Sequence, residues 1–168
     1  GRGDIFSTLL RSIVGQQISV IAADAVWGRL VELVGEITPE AIREFTVEEL
    51  ASCGLSRPKS NYIHDLALKS DALLLQNWND YSDEELLAHF TNFRGIGPWT
   101  AEMILIFTLM RPDIFSIGDI SLIRAVQQLV PEADSKDKVL ELSKRWIPYR
   151  TAACWYLWRM LDPVPVEY

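Results

Sequence analysis

Two stretches of this chain have residue types and spacing suited to chemistry. The first is Phe93-Arg94-Gly95-Ile96-Gly97-Pro98-Trp99-Thr100-Ala101, a turn between two apolar helical patterns. Glycines at 95 and 97 suit a tight turn whose backbone angles other residues resist. Pro98 suits the first position of a new helix, where its missing N–H would be unpaired anyway. Backbone N–H groups at such a helix start favour an anion such as a phosphate. The second is Asp119, which ends the Gly- and Pro-containing segment Arg111 to Asp119. Alone, an aspartate after glycine reads as the N-cap of the following helix. A carboxylate there can cap the helix and still face a cleft, so capping and chemistry are compatible.

Other reactive side chains give less. His64, His89, Cys53 and Cys154 have no metal-ligand spacing, which predicts no zinc site. Two cysteines cannot build a disulfide framework, and a reducing cytoplasm is the expected setting. Six tryptophans are many for this length. Core packing is the reading for Trp27, Trp78 and Trp146.

The elements that must position these residues are all helical. Ile5, Phe6, Leu9, Leu10, Ile13 and Val14 have helical spacing within Asp4 to Gln17. Ser19 is placed to cap a helix through Ile21, Ala22, Ala25, Val26, Leu30 and Val31, which Gly35 ends. Thr38-Pro39 starts a short helix to Phe45; Thr46-Val47-Glu48-Glu49 is a capping box, and Gly54 stops its helix. Ser56 to Lys69 is amphipathic, with Tyr62, Ile63, Leu66 and Ala67 inward. Ser82-Asp83-Glu84-Glu85 is a second capping box, and its helix leads into the Gly-Ile-Gly turn. Pro98 to Met110 predicts an apolar central helix. Asp119 to Val130 follows with Ile120, Ile123, Val126 and Leu129 as its apolar positions. Ser135 to Trp146 and Pro148 to Leu161 are the last helices, and Pro163 and Pro165 mark an extended tail. No stretch alternates with period two, so the fold class is all-α.

The 168 residues suit one domain, 1–168, with the hairpin at about 86–110 and the loop ending in Asp119 at about 111–119. No apolar run approaches a membrane span, so no membrane partner is expected. The net charge of −7 runs against a generic nucleic-acid binder, which has a basic excess. Nucleic-acid contact then requires clustered positive charge, as at Arg57-Pro58-Lys59 or Lys144-Arg145 with Arg150, or phosphate contacts made by backbone amides.

The turn Gly95-Ile96-Gly97-Pro98-Trp99-Thr100-Ala101 followed downstream by Asp119 resembles the helix-hairpin-helix (HhH-GPD) DNA glycosylase superfamily. In that superfamily a Gly/Pro-rich loop follows the hairpin and ends in an aspartate. The variant Gly-Ile-Gly-Pro-Trp-Thr-Ala is similar to the 3-methyladenine DNA glycosylase II branch. The resemblance extends from Phe6 to Trp158. It implies a helical bundle with a cleft between helical subdomains, and base excision repair of alkylated purines such as 3-methyladenine in damaged double-stranded DNA.

The resemblance also implies roles. Asp119 becomes the catalytic carboxylate: breaking a base–sugar bond builds positive charge on the deoxyribose, which a carboxylate stabilises while orienting or deprotonating water. Trp99 stands where the bifunctional members carry a Schiff-base lysine, which implies a monofunctional enzyme without lyase activity. Trp99 and Trp158 would line the base pocket, where electron-rich rings attract a cationic alkylated base. Met103 joins that pocket where the best-known bacterial pattern has a tyrosine, and Ile120 is apolar where an aromatic occurs, so substrate range stays open. Gln16 and Gln17 fall on the turn that faces DNA, with Gln17 as the plug for the space left by a flipped nucleotide. Gly95, Ile96, Gly97 and Thr100 would contact the DNA backbone. A monovalent cation at the carbonyls of Thr91, Phe93 and Ile96 is compatible with the family; no other cofactor is expected. The segment Trp146-Ile147-Pro148-Tyr149-Arg150 also matches the branch, with a structural role for Arg150. The chain is expected to be a monomer. Two rivals differ in class: a non-catalytic helix-hairpin-helix DNA-binding module, which needs neither Asp119 nor the aromatic pair, and a helical domain in which Gly-Ile-Gly is only a turn.

Overall fold

A computed structural model describes residues 2–161, with side chains from Ile5 onward. It has helices and no strand among the described residues. The chain forms two compact units, residues 1–100 and 101–168. The expected tail at Pro163 and Pro165 lies outside the described residues.

The first unit begins with α1 (Arg2–Gly15) and α2 (Val20–Val34). The predicted stripe of α1 is buried throughout: Ile5, Phe6, Leu9, Leu10, Ile13 and Val14 are at most 3% exposed. Ser19 caps α2 by accepting the Ala22 N–H, and Gly35 ends it with a φ of 82°. In α2 only Val26 and Leu30 are buried, while Val20 and Ile21 are exposed. Their apolar pattern is wider than the face that α1 covers. Short helices α3 (Pro39–Arg43) and α4 (Val47–Ala51) pack on α5 (Arg57–Leu68), with the Thr46–Glu49 capping box formed as expected. Two elements had no sequence expectation: α6 (Ser70–Leu73) and a 3-10 turn at Trp78–Asp80. Trp78 stacks on Phe90 at 5.4 Å, which agrees with packing rather than binding. The second capping box starts α7 (Asp83–Thr91), and α8 (Pro98–Met103) follows the turn.

In the second unit α8 does not continue as an α-helix to Met110. It passes into a π-helical segment, Ile104–Thr108, where the Leu109 N–H reaches the Ile104 carbonyl at 2.9 Å. No glycine or proline announces this widening, so periodicity alone missed it. α9 (Ile120–Leu129) packs against α10 (Lys136–Ser143) and α11 (Arg150–Leu161). Its buried face is Leu122, Ala125 and Val126, while Ile120 and Leu129 are exposed. The expected set was spaced by threes, and a spacing of three drifts about 60° per step around a helix of 3.6 residues per turn. A 3-10 turn, Lys144–Trp146, separates α10 from a cis Ile147–Pro148 bond. α11 starts at Arg150, not Pro148. Phe115, Leu122, Ala125, Val126, Val139, Cys154 and Leu157 form the core of this unit, with Trp146 and Trp158 partly buried against it. No described helix is long and apolar enough to cross a membrane.

Candidate active site and nucleic-acid interface

In the second unit Asp119 is the N-cap of α9. Its Oδ1 accepts the Ser121 N–H at 2.9 Å and the Leu122 N–H at 3.3 Å. Its Oδ2 accepts the Trp158 Nε1–H at 2.9 Å. The carboxylate is half-buried and held at both oxygens by donors. Of the predicted site residues in this unit, the fold therefore brings Asp119 and Trp158 together. The Trp158 ring stacks on Phe107, 5.8 Å between centroids and 21° between planes. Met103, at the end of α8, is 9% exposed and packed in the interior.

The segment leading to Asp119 is tied down along its length by α11. Asp113 makes a two-point ion pair with Arg150, at 2.8 Å and 3.0 Å, and accepts the Arg150 N–H as well. Those bonds hold the Asp113 carboxyl below its ordinary range. Thr151 Oγ1 donates to the Arg111 carbonyl and accepts the Ile114 N–H. Cys154 Sγ donates to the Ile114 carbonyl, and burial pushes this thiol up to about 12. Arg150 thus has the structural role expected of it. The spacing Thr151, Cys154, Trp158 puts these side chains on one face of a helix.

One residue at this site escaped the sequence reading. Glu102 of α8 is 4% exposed. It accepts the Ser116 hydroxyl at 2.7 Å and the Gly118 N–H at 3.3 Å. A lone charge inside the apolar run Ala101 to Phe107 was the available signal.

The first unit holds the turn. Gly95 has a φ of 90°, and a Cβ there would lie 2.8 Å from the Tyr62 ring. Gly97 differs from the expectation: its φ is not positive, and a Cβ there would meet nothing within 4 Å. No intramolecular contact requires glycine at 97, and its backbone is open on the side where a Cβ would stand. Ile96 is buried and anchors the turn, with its N–H bonded to the Phe93 carbonyl. That carbonyl keeps a second lone pair, so the set Thr91, Phe93 and Ile96 remains compatible with a cation. Among the described residues no cluster of His, Cys, Asp or Glu could hold a metal. Trp99, in the first turn of α8, is 39% exposed. Thr100 is buried, its hydroxyl 3.4 Å from that of Ser12.

Gln16 and Gln17 part company. Gln16 Nε2 donates to the Gly95 carbonyl at 2.8 Å, which fastens the Gln turn to the hairpin. Gln17 is exposed, with a left-handed φ of 58°. Lys59 Nζ donates to the Val14 and Gln16 carbonyls at 2.8 Å and 2.6 Å. Its burial lowers the ammonium below its ordinary range. Lys59 is thus committed to the end of α1, where cations are favoured. Arg57 pairs with Glu48 and Lys144 with Glu141. Both of these pairs are solvent-exposed, whereas Lys59 is held by the two carbonyls.

The profile of the HhH-GPD superfamily of base excision DNA repair proteins matches residues 10–149. The chain belongs to that superfamily. This HhH-GPD protein is 35% identical to DNA-3-methyladenine glycosylase 1 of Schizosaccharomyces pombe, over 92% of this chain and 71% of the relative. It superposes on a DNA-3-methyladenine glycosidase of Bacillus halodurans with a TM-score of 0.85 at 34% identity, covering 94% of this chain and 76% of that one. The S. pombe 3-methyladenine DNA glycosylase in complex with abasic DNA gives 0.77 at 32% identity, covering 96% and 84%. The HhH-GPD chain spans 58% to 77% of the lengths of four curated relatives.

Proposed function

We propose that this HhH-GPD protein is a monofunctional DNA glycosylase that hydrolyses the N-glycosidic bond of alkylated purines, 3-methyladenine among them, in duplex DNA. The observation that carries the reading is Asp119, a carboxylate gripped by two backbone N–H groups and the Trp158 indole. Such a group is preorganised to face positive charge that develops on a sugar. As the base departs with the bond's electron pair, the carboxylate stabilises the oxocarbenium-like sugar. It then takes the proton of the water that attacks the anomeric carbon. A cationic alkylated purine leaves neutral, which lowers the barrier at that bond.

Relatives named DNA-3-methyladenine glycosylase and a neighbour bound to abasic DNA support the substrate class and the partner. Trp99 in place of a lysine supports hydrolysis without lyase chemistry, since an indole cannot form a Schiff base. In the first unit the hairpin amides of Gly95, Gly97 and Thr100 would hold a phosphate and Gln17 would fill the space of a flipped base; in the second, Trp158, bonded to Asp119, would face the damaged base.

The test is release of base from methylated duplex DNA, with the liberated base identified by chromatography. Wild type should free 3-methyladenine and leave an abasic site, and Asp119→Asn should be slower by orders of magnitude. Near-normal excision by Asp119→Asn would remove the assignment. Covalent trapping on DNA by borohydride would overturn the monofunctional part.

A further inference from the structure

We propose that Glu102 is the positioning residue for Asp119, acting through the backbone of Ser116 to Gly118; the inference rests on the glycosylase reading above. The geometry is specific. Ser116 is fully buried and its hydroxyl donates to Glu102 Oε2 at 2.7 Å. The Gly118 N–H donates to the same oxygen at 3.3 Å. Gly118 is the residue immediately before Asp119, and the Asp119 N–H bonds back to the Ser116 carbonyl at 3.1 Å. One buried oxygen therefore fixes both ends of the three-residue segment that delivers the carboxylate. The Trp158 and α9 bonds hold the Asp119 side chain. Glu102 holds the backbone beneath it.

A carboxyl is an unusual choice inside an apolar helix, because burial of a charge is costly without compensation. Burial pushes the Glu102 carboxyl up, with the Ser116 and Gly118 bonds partly opposing that rise. Lys136 lowers it and Asp119 raises it further. What both bonds require is an acceptor oxygen at this place. An amide oxygen in the same position supplies that acceptor.

Three substitutions test this, assayed with the full chain by single-turnover base release from methylated duplex DNA and by affinity for an abasic-site duplex. Glu102→Ala should slow base release by about 30-fold or more while affinity changes by no more than about 2-fold, because small misplacements at a reacting centre act on the chemical step. Glu102→Gln should restore the rate to within about 3-fold of wild type, since its side-chain oxygen still accepts both bonds. In an Asp119→Asn background, Glu102→Ala should cost little more, because residues acting through one group are not additive. If Glu102→Ala melts the domain, Ser116→Ala carries the test: it removes one donor and should slow release by about 5-fold with folding retained. Wild-type rates in folded Glu102→Ala or Ser116→Ala would overturn the proposal. So would a Glu102→Gln enzyme as slow as Glu102→Ala, which would make charge the requirement, or a full additional loss in the Asp119→Asn background. Failure of wild type itself to release any base would sink the glycosylase reading, an outcome distinct from each of these.

Discussion

Trp158 and Asp119 meet through a single hydrogen bond, Nε1–H to Oδ2 at 2.9 Å, which joins α11 to the start of α9. The indole that was expected to wall a base pocket also orients the carboxylate. Trp158→Phe keeps a ring to stack on Phe107 and deletes the donor. A hydrogen bond to a charged group contributes roughly 1.5–3 kcal/mol. Single-turnover base release should therefore fall about 10- to 100-fold, one decade per ~1.4 kcal/mol. An unchanged rate would reduce Trp158 to packing.

Gly95 and Gly97 should respond in opposite ways. Gly95→Ala forces a side chain into a left-handed position, at roughly 1–2 kcal/mol, and drives it into the Tyr62 ring. Its urea midpoint should drop. Gly97→Ala meets nothing inside the protein and should hold or gain stability, by up to about 1 kcal/mol. DNA affinity should nonetheless weaken about 10-fold, because the added methyl stands off the phosphate backbone. Equal DNA affinity in Gly97→Ala and wild type would contradict the role of this backbone.

Gln17 holds a φ of 58°, a region disfavoured for residues with a Cβ. Gln17→Gly should raise stability by about 1 kcal/mol through release of that strain. The same change should weaken binding to an abasic-site duplex, where the side chain would fill the gap. Stability that rises together with unchanged abasic-site affinity would leave Gln17 without a wedge role.

The Asp113–Arg150 pair gives the second unit an acid-sensitive tie. Arg150 holds the Asp113 carboxyl below its ordinary value of 3.8, so the folded state favours the ionised form. That stabilisation is present above the unfolded pKa and is lost as pH falls through the folded one. Asp113→Asn should destabilise the protein by about 1–3 kcal/mol at neutral pH, the range for a charge-assisted pair that is mostly buried. The gap from wild type should close on acidification from the ordinary carboxylate range downward, as read from urea melts at a series of pH values. A gap that persists undiminished at low pH would rule out the pair as its source.

Much of this protein was legible in its sequence. The buried stripe of α1, the caps at Ser19, Thr46 and Ser82, and the hairpin at Gly95 all arise from interactions within a few residues of chain. Local chemistry decides such features, and local chemistry is what a sequence displays. Asp119 was legible for the same reason, as a capping residue after a recognisable turn. Contacts between residues far apart in the chain were not legible. The π-helical segment at Ile104–Thr108 has no local signal, and the face of α9 that is buried depends on α10 and α11. Only the fold could show that Gln16 ties to Gly95, that Lys59 closes the end of α1, and that Trp158 reaches Asp119. Glu102 is the sharpest case. In sequence it is one charge in an apolar run; in the fold it lies beneath the segment that carries Asp119. Residue types determined which chemistry was available, and the packing of distant helices decided which groups stand together to perform it.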